Sequence, residues 1–262
     1  RVEPIRVTHS IPEAVSFAIR TPHGLVLHTG DYKLEGRGLP ALGTDVERFT
    51  ALGEEGVRLV VGDSTGALDP GCSPPESSVA SALEEVFAKA RGRIVVAIFS
   101  SHVERLSNLA SLALSHGRRL GWEGRRLRET AEAAARLGLL RLPPGLALST
   151  RGLMDLPPER AALAITGTQG EPGSVLSLLA LGEHPLLRLE PGDTVVVSAR
   201  ILPGSAGRMA FLMDRLVATG VTVVDPQDHP GVHASGHARR DDIERLLRLL
   251  RPRALLPVHG RR

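Results

Sequence analysis

Three widely separated side chains of this sequence are of the types that bind catalytic metal ions. They are His9, Asp31 and His259, and each lies at or just after the end of a short apolar run that predicts a β-strand. A neutral imidazole supplies a nitrogen ligand to zinc, and one aspartate can bridge two metal ions. Their wide spacing differs from the local spacing of a zinc finger, so the pattern favours a hydrolytic zinc site that the fold assembles.

Taken singly, each of these residues has an ordinary structural interpretation. A lone histidine at the end of a strand is usually a hydrogen-bonded or surface residue, and an aspartate after Thr-Gly is usually a turn former. Asp63 and His237 also lie at the ends of predicted strands or loops. The combination is much harder to explain by chance than any single residue, and it carries the hypothesis of a metal site.

The composition is that of a folded protein. The chain has 262 residues, of which 42% are hydrophobic and 23% charged, so we expect one large core or two modest domains and no extensive disorder. The net charge is only +3. Arginine outnumbers lysine about fifteen to one, which we interpret as genomic base composition rather than phosphate binding. Aromatic residues make up 3%, so any stacking platforms for single-stranded nucleic acid must be few.

The remaining composition bears on location. A single cysteine, Cys72, excludes an intramolecular disulfide and is typical of a reducing cytoplasm. No stretch approaches 18 apolar residues, and no basic segment followed by an apolar run opens the chain. We therefore expect a cytoplasmic protein without a membrane partner. The chain begins at Arg1, in the middle of a strand-like pattern, and the sequence predicts a fragment.

The order of predicted elements indicates two domains. Strands alternate with helices between Ser77 and Val224, which is the pattern of a mostly parallel, doubly wound sheet. The hairpin-like start and the last strand, Ala254 to Val258, carry the candidate ligands and belong to a second domain. The predicted organisation is a first domain at residues 1–76, an inserted domain at 77–230, and a return to the first domain at 231–262.

Several motifs of the sequence occur in the order found in one known family. The two most specific are Gly-Thr-Gln-Gly-Glu-Pro at residues 167–172 and His-Ala-Ser-Gly-His at residues 233–237. The others are Thr-His-Ser-Ile-Pro at 8–12, His-Thr-Gly-Asp at 28–31, Gly-Asp-Ser-Thr at 62–65, Ser-Pro-Pro-Glu-Ser-Ser-Val at 73–79, Ile-Leu-Pro-Gly at 201–204 and Pro-Val-His-Gly at 257–260. From end to end the chain resembles ribonuclease J, in the β-CASP group of the metallo-β-lactamase fold.

The resemblance implies a fold and a role for each candidate residue. The fold would be α/β: a partial metallo-β-lactamase αββα sandwich with an inserted, doubly wound parallel-sheet β-CASP domain. His9, Asp31 and His259 would bind two zinc ions, with Asp31 as the bridge. Asp63 would orient a histidine ligand. His237 would donate a proton to the leaving oxygen.

The resemblance also implies an RNA substrate and a reaction. A hydroxide held between two zinc ions about 3.5 to 4 Å apart would attack the phosphorus. Backbone amides and the side chains of His233 and Ser235, with Gly236, would contact phosphate. Arg200 is either a further phosphate contact or an ordinary surface arginine. Members of the family cleave RNA internally and also degrade it from a 5′ end. The resemblance alone implies a homodimer and possible RNA-decay partners.

The sequence departs from the family pattern at three places. The motif His-x-His-x-Asp-His, expected before His9, has no match, so we expect the chain alone to be inactive. The chain ends at His259-Gly260-Arg261-Arg262, where relatives are expected to continue. His102 stands where relatives are expected to carry asparagine, and as a lone histidine it is predicted to be a surface residue at a helix start rather than a metal ligand.

Three hypotheses of function follow. The first is most of a zinc-dependent ribonuclease, acting as a 5′-3′ exonuclease and an endonuclease in RNA processing and decay. The second is a catalytically inactive RNA-binding or assembly subunit that keeps the nuclease scaffold. The third, a Rossmann-like nucleotide-binding protein, is disfavoured because no Gly-x-Gly-x-x-Gly follows a strand at a helix start.

Overall fold

Two five-stranded sheets organise the chain in the computed structural model, which describes residues 1–34 and 43–260. They belong to separate units. Unit 1 comprises Arg1–Pro75 and the residues from Ala234 onward, and unit 2 comprises Glu76–His233. The domain boundaries after residues 76 and 230, argued from the sequence, stay a prediction. Arg261 and Arg262 lie outside the described residues.

Unit 1 contains a mixed sheet with the strand order β1-β2-β3-β4-β10. The first three strands form an antiparallel meander, and the last three are mutually parallel. Consequently β1, β3, β4 and β10 all point in one direction, and only β2 runs against them. The strands are β1 (Val2–Arg6), β2 (Val15–Thr21), β3 (Gly24–His28), β4 (Val57–Asp63) and β10 (Ala254–Val258).

Two helices cover one face of this sheet. They are α1 (Val46–Glu55) and α8 (Arg240–Leu250). Alternate apolar residues of the strands pack with apolar residues of both helices in one buried cluster, including Leu27, Val60, Phe49, Leu52 and Leu246. This period of two in the strands is the pattern expected when a sheet buries one face in a core.

Unit 2 contains an all-parallel sheet with the strand order β6-β7-β5-β8-β9. Its strands are β5 (Ile94–Ala97), β6 (Arg119–Glu123), β7 (Ala161–Ile165), β8 (Thr194–Val197) and β9 (Thr222–Val224). Its helices are α2 (Glu76–Lys89), α3 (Val103–Ser115), α4 (Arg125–Arg136), α5 (Thr150–Met154), α6 (Val175–Leu181) and α7 (Ala206–Ala218). The central strands are buried along their whole length, as parallel strands covered on both faces must be.

The predicted α/β class and the parallel sheet are confirmed. Three elements, α1, α5 and β6, were not predicted from the sequence. No helix in the described parts of the chain combines the length and the apolar character that crossing a bilayer demands.

The structure corrects the interpretation of His102. The residue does stand at a helix start, where its Nδ1 accepts a hydrogen bond from the Arg105 backbone N–H at 3.3 Å. It is not a surface residue, however, because only 7% of it is exposed. Its Nε2 lies 3.5 Å from a carboxylate oxygen of Glu76. The imidazole therefore caps α3 as asparagine can, and it adds a contact to a buried carboxylate.

Candidate metal centre

The candidate residues of unit 1 meet at one edge of its sheet. His9 follows β1, Asp31 follows β3, Asp63 is the last residue of β4, and His259 follows β10. These four strands run in the same direction, so their carboxyl ends lie along a common edge. Residues separated by up to 250 positions in the sequence are thereby collected within a few ångströms.

Asp31 lies between two imidazoles. Its Oδ2 is 3.8 Å from His9 Nε2, and its Oδ1 is 3.6 Å from His259 Nδ1. Zinc holds nitrogen and oxygen ligands at about 2.0–2.2 Å in a tetrahedron, which places two of its ligands about 3.4 Å apart. The observed separations are a few tenths of an ångström longer. One carboxylate oxygen directed toward each histidine is also an arrangement by which one aspartate can bridge two metal ions.

A backbone hydrogen bond prepares His9 to bind a metal through Nε2. Its Nδ1 lies 2.8 Å from the carbonyl oxygen of Gly236. A carbonyl can only accept, so Nδ1 carries the proton and Nε2 presents its lone pair toward Asp31. Burial lowers the pKa of His9, although the hydrogen bond to Gly236 opposes that shift. The imidazole is therefore kept neutral, which is the state that binds metal.

Only glycine fits at position 236. A Cβ atom there would lie 2.4 Å from Ser10 Oγ and 2.6 Å from His9 Nδ1. The close approach of this backbone to the imidazole is what allows the hydrogen bond to His9. Gly236 was predicted to contact substrate, which stays a prediction, and the structure shows that its carbonyl contacts the candidate ligand His9.

Asp63 is a buried carboxylate with a full set of donors. Its Oδ2 is 2.7 Å from His237 Nδ1, and its Oδ1 accepts hydrogen bonds from the backbone N–H and the hydroxyl of Thr65, at 2.9 and 2.7 Å. Burial raises the pKa of Asp63, but the hydrogen bonds from His237 and Thr65 outweigh it and hold the pKa well below its usual range. An ionised carboxylate acceptor leaves His237 Nδ1 as the donor, so Nε2 is the nitrogen that can exchange a proton with another molecule.

His237 stands between the other two imidazoles. Its ring centroid is 5.1 Å from that of His9 and 6.4 Å from that of His259, in edge-on contact with both. His259 Nδ1 also lies 3.3 Å from Asp63 Oδ1. One potential ligand atom from each of Asp31, Asp63, His237 and His259 lies within 4.8 Å of the others. His237 and Asp63 were predicted to be catalytic rather than metal-binding. They lie close enough to Asp31 and His259 to influence a metal ion bound there.

His259 has a strained backbone. Its φ of +64° lies in the left-handed region, which residues other than glycine rarely adopt. Such outliers persist where the surrounding structure holds them, and they cluster at functional sites. The side chain of His259 is about half exposed and that of Asp31 is 41% exposed, so both remain open to a ligand from solvent.

The predicted substrate-binding residues are divided between the units. Ser235 and Gly236 lie in unit 1, where Ser235 Oγ accepts a hydrogen bond from the His237 backbone N–H at 3.2 Å. Arg200 and His233 lie in unit 2. Arg200 is an exposed residue after β8, and its carbonyl oxygen accepts a hydrogen bond from Gln169. Burial lowers the pKa of His233 to about 3, so this imidazole is neutral.

Sequence reasoning missed the residues that support the ligands. Thr65 holds Asp63, and Thr29 Oγ1 accepts a hydrogen bond from the Asp63 backbone N–H at 2.9 Å. The Asp-Ser-Thr string after β4 carried a usable signal, because a hydroxyl two residues after an aspartate commonly closes a local turn. No local signal identified Gly236 as the partner of His9.

Sequence comparisons show which known families and proteins the chain resembles. The family described as "Ribonuclease J, beta-CASP domain" matches residues 91–216, and that described as "Zn-dependent metallo-hydrolase RNA specificity domain" matches residues 229–262. Among curated relatives, the protein named Ribonuclease J from Synechocystis is 38% identical over 259 residues. The proteins of that name from Thermus thermophilus and Helicobacter pylori are 37% and 32% identical over 255 and 259 residues.

The chain belongs to the ribonuclease J family. The three alignments cover 97–99% of this chain and 40%, 44% and 37% of the respective relatives, so the chain spans less than half the length of each. The likeness to a metallo-hydrolase domain, together with the candidate group of ligands, supports a metal cofactor. A crystal structure of a protein of unknown function from Enterococcus faecalis V583 shares the fold, with a TM-score of 0.65 at 18% identity over 99% of this chain and 58% of that protein.

Proposed function

We propose that this chain supplies part of the hydrolytic site of a zinc-dependent ribonuclease that acts in RNA processing and decay. The proposed reactions are 5′-3′ exonucleolytic and internal hydrolysis of RNA phosphodiesters. The position of the Asp31 carboxylate carries the proposal, because one oxygen is directed to His9 and the other to His259. That arrangement suits two zinc ions sharing one aspartate, and we propose two per complete site.

Each proposed ligand has a distinct task. Bound zinc would lower the pKa of a coordinated water toward about 7 and neutralise charge on the phosphate. His9 would bind through Nε2, because Gly236 occupies its other nitrogen. Asp31 would bridge, and His259 would complete the opposite side. The low pKa of Asp63 keeps negative charge beside the metal-binding histidines at any physiological pH.

His237 is the proposed proton donor to the leaving oxygen. Its Nδ1–H bond to Asp63, at 2.7 Å, fixes the ring and stabilises the imidazolium form. Nε2 is then the nitrogen that delivers a proton to the departing alkoxide. The side chains of His233, Ser235 and Arg200, with the Gly236 backbone, are proposed phosphate contacts, for which the family motifs at residues 233–237 are the support.

Zinc binding and RNA turnover test the proposal. In the complete product of the gene that encodes this chain, His259→Ala should lower the bound zinc, measured by mass spectrometry of the metal, and should abolish RNA hydrolysis. RNA affinity should change little, because the phosphate contacts remain. His23→Ala changes an exposed histidine in the turn between β2 and β3 and is the matched control. Equal losses of turnover and of RNA affinity in His259→Ala would contradict its role as a ligand.

A second candidate is a catalytically inactive RNA-binding or assembly subunit. Such a subunit would keep the scaffold and the proposed RNA contacts without holding zinc. If the complete gene product binds RNA but contains no zinc and does not hydrolyse RNA, this second function replaces the first.

The remaining proposals concern partners and location. We propose a cytoplasmic homodimer that associates with other RNA-decay proteins. The single cysteine supports the cytoplasmic location, and the family membership supports the dimer and the RNA-decay partners. Light scattering of the purified complete product tests the dimer directly, and a mass equal to one subunit would contradict it.

A further inference from the structure

Phe99 is an exposed aromatic residue at the end of a buried strand. The five residues before it, from Ile94 to Ile98, are each at most 1% exposed, whereas Phe99 is 38% exposed. Ala97 pairs with Ile165 of β7 and with Val197 of β8. Two residues further along, Phe99 is therefore level with the second residues beyond both neighbouring strands. It stands at the carboxyl edge of the unit 2 sheet, on its middle strand.

This edge contains the switch point of the doubly wound sheet. After β5 the chain proceeds to β6, on one side of β5, whereas after β8 it proceeds to β9, on the opposite side. The connections that follow the adjacent strands β5 and β8 therefore diverge. In open parallel sheets such a divergence opens a crevice beyond the carboxyl ends of the strands, and ligands bind there.

The loop after β8 supplies the other side of this crevice, and it is rigidly held. Gln169, in the loop after β7, donates from Nε2 to the Arg200 carbonyl at 2.8 Å. Its Oε1 accepts hydrogen bonds from the Leu202 backbone N–H at 3.0 Å and from Ser205 Oγ at 2.6 Å. Three hydrogen bonds from one side chain fix the backbone that carries the exposed residues Arg200 and Leu202.

An exposed aromatic ring beside a loop with an exposed guanidinium is suited to one class of ligand. A nucleotide has a flat base that stacks on aromatic rings and a phosphate that attracts arginine. We propose that Phe99 stacks against a base of single-stranded RNA bound at the carboxyl edge of the unit 2 sheet. This proposal rests on the proposed function, in which RNA is the substrate. It assigns a base contact to one of the seven aromatic residues of the chain, of which Tyr32, Phe49 and Phe87 are buried.

Fluorescence anisotropy with a labelled single-stranded oligouridylate, in chelator so that the RNA stays intact, measures the contribution of Phe99. In the complete gene product, Phe99→Ala should weaken binding about 5- to 150-fold, as expected for losing one stacked base. Phe99→Trp should bind as the wild type does. Phe211→Ala removes a phenylalanine that is 54% exposed on α7, away from the strand ends, and should leave the affinity unchanged.

Two further measurements separate stacking from folding. Phe99→Leu keeps an apolar side chain of similar size, so it should fold, as checked by thermal melting, and yet bind RNA as weakly as Phe99→Ala. With an oligonucleotide that lacks bases, wild type and Phe99→Ala should bind equally. Wild-type affinity in folded Phe99→Leu would overturn the base contact while leaving the proposed function intact. Failure of the wild type to bind any RNA would overturn both.

Discussion

Each unit contains a cluster in which a buried carboxylate contacts histidine, and the two clusters differ in their chemistry. In unit 1, Asp63 contacts His237 and His259, and in unit 2, Glu76 contacts His102 and Arg105. Both carboxylate side chains are at most 2% exposed. In both, burial raises the pKa of the carboxyl, and stronger hydrogen bonds from neighbours hold it well below its usual range.

The partners of the two carboxylates differ in chemistry. Glu76 accepts hydrogen bonds from Nε and Nη2 of the Arg105 guanidinium, which is fully buried and permanently charged. Arg105 also donates to Ser198 Oγ at 2.6 Å, and that hydroxyl donates to the Val232 carbonyl at 2.5 Å. Asp63 contacts two imidazoles, which can release a proton, and no guanidinium among the described ion pairs, and its neighbours Asp31 and His259 reach solvent. The pKa is low for both carboxyl groups, so a low pKa does not distinguish a reactive site. The unit 1 cluster differs in having protons that can be exchanged and side chains that solvent can reach.

The largest expected effect comes from removing the shared carboxylate charge at Asp31. Asp31→Asn in the complete gene product should reduce RNA turnover to background and lower the zinc content, because an amide cannot bridge two metal ions as a carboxylate does. Asp228→Asn, a change to an exposed carboxylate of unit 2, is the control. Full turnover in Asp31→Asn would show that the unit 1 cluster is not the reactive one.

The next effect distinguishes a proton donor from a metal ligand. His237→Ala should lower kcat about 10²- to 10⁴-fold, the usual contribution of general acid catalysis, while the zinc content stays near that of the wild type. Asp63→Asn acts through the orientation of His237, so it should lower kcat by only about 10- to 100-fold. Loss of zinc from His237→Ala would instead place this residue among the ligands.

Breaking the buried pair of unit 2 should affect folding rather than chemistry. Arg105→Met leaves Glu76 buried without its cation and should lower the free energy of unfolding by about 3–5 kcal/mol, measured by urea denaturation. The double variant Glu76→Leu with Arg105→Met should recover most of that loss. Arg248→Ala, which removes an exposed pair with Glu244, should cost less than about 1 kcal/mol. Equal instability of the single and double variants would argue against a buried ionic pair.

The smallest expected effect is a pH dependence of stability from buried neutral histidines. Burial lowers the pKa of His233 to about 3, from an ordinary value of 6.5. Between these values the unfolded chain binds a proton that the folded protein does not. Between pH 6.5 and pH 5 the free energy of unfolding should therefore fall by about 2 kcal/mol in total, at a slope of up to about 1.4 kcal/mol per pH unit.

Urea denaturation between pH 7 and pH 5 measures this slope above the range where ordinary carboxylates titrate. His233→Leu should make this slope smaller without abolishing it. Burial also lowers the pKa of His9, so His9 contributes to the slope in the same direction. An unchanged slope in His233→Leu would mean that His233 is not held neutral in the folded protein.

Much of the fold was predictable because local sequence patterns indicate its strands and helices. The apolar runs of β4, β5, β8 and β10 identified strands, and helices of regular apolar spacing separated the strands of unit 2. Helices α1 and α5 and strand β6 were not predicted. Strand β6 contains Gly121 and is flanked by arginines and a glutamate, so it lacks the continuous apolar run of its neighbours. Its pairing with β7 outweighs this weak local preference.

The sequence by itself determined which residues could do chemistry, because histidine and aspartate after apolar runs must emerge at strand ends. Only the tertiary structure decided which of them meet, since the direction of β1, β3, β4 and β10 is set by pairing between distant segments. It also decided the proton positions. The partner of His9 is 227 residues away and the partner of His237 is 174 residues away, and no local pattern can specify an interaction over such distances.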